Sequence, residues 1–419
     1  MNNPSNTNIA SNNSKQVAKL SKPLPSGGVG VGFDSTIVRR GTGCVKWDET
    51  PLDDVIPLWV ADMDFAVAPA IQEAIRRRAE HPVFGYTHVG DEYYDAVISW
   101  FQRRHGWTIH RDEILYTTGV VPAMSVAIKA LTMPGEKVLI LSPDYNCFFS
   151  SVRNNGCEVL ENYLNSKLST LNYTIDWQDF EQKCADEKTT VFLLCNPHNP
   201  TGRVWTPEEL QRMNDICLRH GVTVVSDEIH CELVMPGHTF TPFAAVSEQC
   251  RQNSVILNSP SKSFNIAGLM TANIICARPD LRRRLNRAIN INEVCDLNPF
   301  GPVALVAAYN ESEEWIDRLN VYIHDNYTAL CDFFAKHLPQ CRVTPMEGTY
   351  LAWVDVSALG LDVDELCRQL LDKARVWINP GTMYGPTTGR GFIRINMACP
   401  RRLLLEGLQR MAGYVLSEE

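Results

Sequence analysis

Apolar positions recur along this chain at two different spacings. In Ile71-Gln72-Glu73-Ala74-Ile75-Arg76-Arg77-Arg78 they return every three to four residues, the interval of an amphipathic helix. Other runs are short and almost wholly apolar: Lys137-Val138-Leu139-Ile140-Leu141, Thr190-Val191-Phe192-Leu193-Leu194, Val222-Thr223-Val224-Val225, Ser254-Val255-Ile256-Leu257 and Ala272-Asn273-Ile274-Ile275. A strand with one wet face alternates polar and apolar residues; these do not, so both faces are expected to be covered. Helical segments lie between several of them. The clearest opens at Pro207-Glu208-Glu209-Leu210 and runs to Arg219, where His220-Gly221 stops it. The alternation predicts an α/β domain around a mostly parallel sheet.

Beyond about Glu311 the texture changes. A long helical stretch, Trp315 to Leu338, precedes strand-like Thr349-Tyr350-Leu351-Ala352-Trp353-Val354, a helix near Asp364 to Lys373 and a strand at Gly391-Phe392-Ile393-Arg394-Ile395. This predicts a smaller α+β domain over 311–419, joined by an N-terminal segment at 31–75, with the large domain at 76–310. Residues 1–30 are rich in Asn and Ser and end in Ser26-Gly27-Gly28, the composition of a poorly ordered tail.

Composition narrows the partners. The chain has 419 residues, 45% of them hydrophobic, enough for two cores, and a formal charge of −9. That balance lacks the basic face a nucleic acid requires. No apolar run approaches the ~20 residues that span a bilayer. Fourteen cysteines are scattered without C-x-x-C spacing, which suits reduced thiols in a cytoplasmic protein and offers no metal-ligand pattern. The N-terminus also lacks the charged-then-apolar pattern of a signal peptide.

In an open α/β sheet, ligands gather beyond the carboxyl ends of the strands. Three predicted strands end there in polar, turn-forming residues: Cys195-Asn196-Pro197-His198-Asn199-Pro200-Thr201-Gly202, Ser226-Asp227-Glu228-Ile229-His230 and Ser259-Pro260-Ser261-Lys262. An amide, a carboxylate and an amine would converge. Most lysines in turns are solvated, but one delivered by a strand end into a serine-rich turn is placed to hold an aldehyde cofactor as a Schiff base. Thr117-Thr118-Gly119-Val120-Val121 opens a helical run whose first N–H groups suit a phosphate. Together these ask for a flat, phosphorylated, nitrogen-containing aldehyde.

Asn-Pro-x-Asn-Pro-Thr-Gly, then Asp-Glu, then Ser-x-Ser-Lys, in this order and spacing, resembles the fold-type I pyridoxal-phosphate enzymes of the class I/II aminotransferase superfamily. Ile56-Pro57-Leu58-Trp59-Val60-Ala61-Asp62-Met63-Asp64-Phe65, His81-Pro82-Val83-Phe84-Gly85-Tyr86-Thr87, Asp227-Glu228-Ile229-His230, Lys262-Ser263-Phe264-Asn265-Ile266 and Asn396-Met397-Ala398-Cys399-Pro400-Arg401 resemble, more narrowly, the MalY/PatB branch of carbon–sulfur β-lyases. The resemblance implies the type I PLP-dependent transferase fold, with a mostly parallel seven-stranded sheet in the large domain.

It also implies pyridoxal 5′-phosphate as cofactor. Lys262 would carry it and then act as the base at the substrate Cα, and Asp227 would pair with the ring nitrogen. Asn199 would bond the ring oxygen and Tyr145 would stack on the ring. Ser259, Ser261 and the amides of Val120 and Val121 would hold the phosphate, joined by Tyr86 of a neighbouring subunit in a homodimer. Arg394 would clamp the substrate carboxylate, the alternative for that residue being a structural salt bridge. Trp59, Ala61 and Asp62 would line the opposite wall.

Two positions depart from the wider superfamily. Met270 stands where many relatives have a phosphate-gripping arginine, and His230 where tyrosine is frequent; His230 would bond the cofactor oxygen or simply pack. The implied activity is β-elimination from cystathionine or another S-substituted cysteine. An aminotransferase would use the same cofactor residues, and a binding protein on an enzyme scaffold would have no need of the intact Asp227, Asn199, Lys262 and Arg394.

Overall fold

A computed structural model describes residues 32–166 and 171–418, so the predicted tail at 1–30 lies outside the described residues. The large sheet has seven strands: β1 Ile114–Thr117, β2 Lys137–Ser142, β3 Glu158–Tyr163, β4 Thr189–Cys195, β5 Thr223–Asp227, β6 Ser254–Asn258 and β7 Ala272–Ile275. Their spatial order is β1-β7-β6-β5-β4-β2-β3. Only β7 runs against its neighbours, pairing antiparallel with both β6 and β1. The β2–β3, β2–β4, β4–β5 and β5–β6 pairs are parallel.

Both faces of this sheet are buried, and the residues divide between them with the period of two that a pleated strand imposes. Val138 and Ile140 join a cluster with Val191, Leu193, Val225 and Val255, packed under the helix Val120–Leu131. Leu139 and Leu141 join Phe192, Leu194, Val224 and Ile256 on the opposite face. The helix Pro207–Arg219 starts as its sequence predicts. Thr206 accepts from the Glu209 N–H at 3.2 Å and Glu209 returns the bond to the Thr206 N–H at 2.9 Å, a closed capping box.

Two strands and several helices lie outside the sequence prediction. β1 is only four residues long, and β3 is an edge strand whose Glu-Val-Leu-Glu-Asn-Tyr pattern is largely half-exposed. The helices Asp91–His105 and Arg401–Glu418 were not expected, and Gly301–Glu311 carries apolar residues all round and so shows no stripe.

The second sheet has four antiparallel strands: β8 Arg342–Val343, β9 Leu351–Asp355, β10 Asn379–Pro380 and β11 Phe392–Asn396, in the order β8-β9-β11-β10. Arg394 sits in β11 between Trp353 of β9 and Asn379 of β10. Ile56–Pro57 pairs in parallel with Val376–Trp377, which ties the N-terminal segment to this region. The segment then runs as irregular backbone from Trp59 toward the ends of the large-sheet strands.

Candidate active site

The carboxyl edge of the large sheet gathers most of the candidate residues. Asp227 is the last residue of β5, Asn199 follows β4, Lys262 follows β6, Tyr145 follows β2, and Val120 opens the helix after β1. Asn265 shapes the lysine loop: its backbone is left-handed (φ 57°), a conformation asparagine tolerates better than most residues. Its side chain donates to the carbonyls of Met63 at 3.1 Å and Phe65 at 2.9 Å and accepts from the Met63 N–H at 3.0 Å. The loop that carries Lys262 is thereby fastened to the N-terminal run.

A mostly apolar cavity of about 250 Å³ lies at this edge. Lys262, Asp227, Asn199, Tyr145, His230, Val120, Val121, Ser259, Ser261 and Ala61 all line it. The helix Val120–Leu131 points its N-terminus here. Its first closing bond comes from Ala123 to Gly119 at 2.9 Å, so the N–H groups of Val120 and Val121 precede the ladder and face an anion with the positive end of the helix dipole.

Burial sets the protonation of the site. Lys262 is desolvated, which pulls its amine from the usual lysine range down to about 8; Asp62 opposes the shift and Arg394 adds to it. Asp227 is pushed up to about 7 by burial, against the Ile229 N–H that it accepts at 3.1 Å and the nearby Lys262. Burial, then Lys262 and Arg394, drop His230 to about 3, so its imidazole is neutral; its buried Nδ1 has no hydrogen-bond partner. The Lys262 amine donates to the Ala61 carbonyl at 2.6 Å, and Tyr350 donates to the same oxygen at 3.0 Å.

Arg394 lies beside the cavity, buried at 3% exposure. Its partners among the described residues are neutral: Asn199 Oδ1 at 3.2 Å, the Trp59 carbonyl at 2.9 Å and the Tyr384 ring at 4.6 Å. Its Nε has no partner. A structural salt bridge, the alternative weighed from sequence, would put a carboxylate there; the observed site instead holds a buried guanidinium with unspent donors.

Three other expected residues sit differently. The Trp59 indole stacks on Trp377 at 4.1 Å and donates to the Lys46 carbonyl, so Trp59 reaches the site through its backbone. Asp62 does not line the cavity and is paired with Arg39. Tyr86 is 95% exposed in the single chain, in an exposed stretch with Val83 and Phe84. Ser259 is on the wall, but its hydroxyl donates to the Thr271 carbonyl at 2.6 Å and accepts from the Ser261 N–H at 3.1 Å. Its proton is already committed.

Sequence reasoning missed Thr118, Cys195, Ile229 and Thr271 on the cavity wall. It also missed Cys147, whose thiol is raised by burial and lowered by Tyr145 and Lys262. Cys147 is the second residue of the helix Asn146–Asn154, without any metal or redox spacing to mark it. His105, Cys231 and Glu232 form a metal-like group elsewhere. Its carboxylate already accepts from Trp100 and His105, both at 2.7 Å, and from Arg104 at 3.3 Å, as a structural network does. All fourteen cysteines are free thiols, and among the described residues no helix is long and apolar enough to cross a membrane.

Known proteins resemble this chain over most of its length. Residues 53–411 match the family model for aminotransferase class I and II. Cystathionine beta-lyase PatB of Bacillus subtilis is 42% identical over 90% of this chain and 98% of its own length. Protein MalY of Escherichia coli is 35% identical over 91% of this chain and 98% of its own. The crystal structure of cystalysin from Treponema denticola, which contains a pyridoxal 5′-phosphate cofactor, superposes with a TM-score of 0.89 at 35% identity, covering 93% of this chain and 99% of that one. The family match over residues 53–411, with relatives 42% and 35% identical over about nine-tenths of the chain, places it in the class I and II aminotransferase family, in the branch that contains PatB and MalY.

Proposed function

We propose that this protein is a pyridoxal 5′-phosphate-dependent carbon–sulfur β-lyase, cleaving cystathionine or a related S-substituted L-cysteine to a thiol, pyruvate and ammonia. The observation that carries this reading is the meeting of Lys262 and Asp227 in one cavity, beside a buried Arg394 that has no anionic partner among the described residues. The donor set fits the cofactor. Asp227 takes the ring nitrogen, Asn199 and His230 the ring oxygen, Tyr145 the ring face, Val120, Val121 and Ser261 the phosphate, and Lys262 the aldehyde. Ser259 acts by fixing the Ser261 amide. When bound, the cofactor supplies an electron-accepting ring that makes the Cα proton of an amino acid acidic.

Each residue then has a task. Arg394 offers two parallel N–H donors to the α-carboxylate and orients the substrate. Its bond to Asn199 Oδ1 couples substrate binding to the residue that holds the cofactor oxygen. Neutral Lys262 takes the Cα proton and delivers it to the departing sulfur, a positioned acid and base worth about 10²- to 10⁴-fold. Asp227, drawn into its anionic form by the cationic ring, would keep the ring nitrogen protonated through a charge-assisted bond of about 1.5–3 kcal/mol. The released enamine hydrolyses to pyruvate and ammonia.

The amine's protonation gives a pH prediction. Only neutral Lys262 attacks an aldehyde, and its pKa is about 8. Coupling of pyridoxal phosphate to the cofactor-free protein should therefore accelerate about tenfold per pH unit below that value and level off above it. A coupling rate independent of pH on stopped-flow absorbance would contradict the assignment.

This reading includes a cytoplasmic homodimer, a large domain at 76–310 and a smaller one at 311–419 completed by residues 31–75. Tyr86 of one protomer completes the site of its partner, which accounts for the exposed Val83-Phe84-Gly85-Tyr86 stretch. Mixing inactive Lys262→Ala protein with cofactor-losing Tyr86→Ala protein should then restore up to about a quarter of the wild-type activity, because half the dimers carry one intact site. No recovery would contradict a shared site.

An aminotransferase would use the same residues, and absorbance separates the two. With L-cystathionine and no keto acid, a lyase turns over repeatedly and its visible band returns when substrate is spent. A transferase stops after one half-reaction, with the band lost until a keto acid is added.

A further inference from the structure

The run Trp59–Phe65 forms the wall facing the lysine loop, and it has no ladder of its own to set its shape. Besides two backbone bonds, from the Asp62 N–H to the Val60 carbonyl and from the Asp64 N–H to the Ala398 carbonyl, both at 2.9 Å, side chains set it. The Trp59 carbonyl accepts from Arg394 at 2.9 Å and Asn379 at 3.2 Å, and that of Val60 from Asn396 at 2.6 Å. The Asp62 carbonyl accepts from Asn396 at 2.7 Å and Lys46 at 3.0 Å, and that of Met63 from Arg39 at 2.9 Å and Asn265 at 3.1 Å. Between them, the Ala61 carbonyl is the one that meets the Lys262 amine.

Two cations from an earlier part of the chain also hold the acids of this run. The Arg39 fork donates to the two oxygens of Asp62 at 3.1 and 2.8 Å and to Asp64 at 2.8 Å. Lys46, fully buried, reaches Asp64 at 2.8 Å and lies 3.7 Å from Asp62, while the Trp47 indole donates to Asp64 at 2.8 Å. Two positive and two negative charges make a neutral cluster. Asp62 matters beyond it, because the charged and titratable groups that act on the Lys262 amine are Asp62, Arg394, Asp227 and Cys147, with neutral His230 beside them.

We propose that Arg39 and Lys46 are positioning residues for the lyase reaction, acting through Asp62 and Asp64 to hold the Ala61 carbonyl against Lys262 and to offset, by pairing, part of the negative charge that Asp62 presents to its amine. The proposal rests on the cofactor and the lyase activity assigned above. The physical stake is large: a displacement of about 1 Å at a reacting group costs up to about 100-fold in rate. Lysine cannot reproduce the planar fork by which Arg39 grips both Asp62 oxygens.

The test uses wild-type holoenzyme with Arg39→Met, Arg39→Lys and Asp62→Asn. Three quantities are read: the pH midpoint of the cofactor's visible band without substrate, kcat and KM for pyruvate release from L-cystathionine, and Tm. Arg39→Met should move the midpoint up by about one pH unit, since an unpaired Asp62 favours a protonated nitrogen beside it. Its kcat per bound cofactor should fall about 10- to 100-fold, with KM changing less. Arg39→Lys should recover part of the lost kcat, and Asp62→Asn should move the midpoint down. A lower Tm with midpoint and kcat at wild-type values in Arg39→Met would overturn the proposal and leave the cluster a fold element. If Arg39→Met does not accumulate folded, the Asp62→Asn midpoint decides: an unmoved or raised value overturns it. Failure of the underlying reading shows in the wild type, as a missing visible band or missing pyruvate.

Discussion

Lys262→Ala should abolish turnover, lowering pyruvate release by about 10⁴-fold or more, while the protein stays folded and still binds pyridoxal phosphate reversibly. The loss should be large because one amine would have two tasks, attachment of the cofactor and movement of the Cα proton, and among the described residues no second amine lines the cavity. The fold survives because the amine's own bond is to a carbonyl that Tyr350 also serves at 3.0 Å, so Ala61 keeps a donor. On the proposed assignment, Asp227 and the amides of Val120 and Val121 would remain to hold the ring nitrogen and the phosphate. Equilibrium dialysis and thermal melting check the two halves. Activity above about a thousandth of wild type would remove Lys262 from the chemistry.

Arg394→Met should raise KM for substrates bearing an α-carboxylate and lower kcat/KM by about 10²- to 10³-fold, as expected when one partner of a buried charge pair is cut away at about 2–5 kcal/mol. In the resting protein Arg394 is a buried cation without an anion among the described residues, and its presence there costs stability until the substrate arrives. A methionine of similar length removes that cost, and the Trp59 carbonyl retains Asn379 at 3.2 Å. The Tm of substrate-free Arg394→Met should therefore equal or exceed that of the wild type. A drop of several degrees with KM unchanged would assign Arg394 to structure.

The chemistry of this site was readable in the sequence where unusual residue types follow apolar strands. Asp227 ends β5 directly, and Lys262 and Asn199 follow β6 and β4 in turns whose Ser, Pro and Asn content marks the strand ends. What sequence cannot show is partnership at a distance. Asn199 and Arg394, 195 residues apart, share a hydrogen bond because the second sheet folds against the edge of the first. Ser259 carries the right residue type, yet its proton goes to Thr271, a contact set by the return of the chain into β7. Trp59 belongs to the right segment, but its indole finds Trp377 because Ile56–Pro57 pairs beside Val376–Trp377.

The fold follows the same rule. The inner strands announce themselves through unbroken apolar runs, whereas β1 is short and β3 wears the polar face of an edge. Gly301–Glu311 is buried between other helices and so loses the stripe by which helices are recognised.

The central claim, that these residues expel a sulfur from Cβ rather than pass on an amino group, is tested most directly by product stoichiometry. Purified holoenzyme is incubated with L-cystathionine in the absence of any keto acid, and pyruvate, ammonia and homocysteine are counted together against a Lys262→Ala control. The account predicts all three in equal amounts, in many-fold excess over enzyme, and none from the control. Amino-group transfer that appears only when a keto acid is added, with no free ammonia, would contradict it.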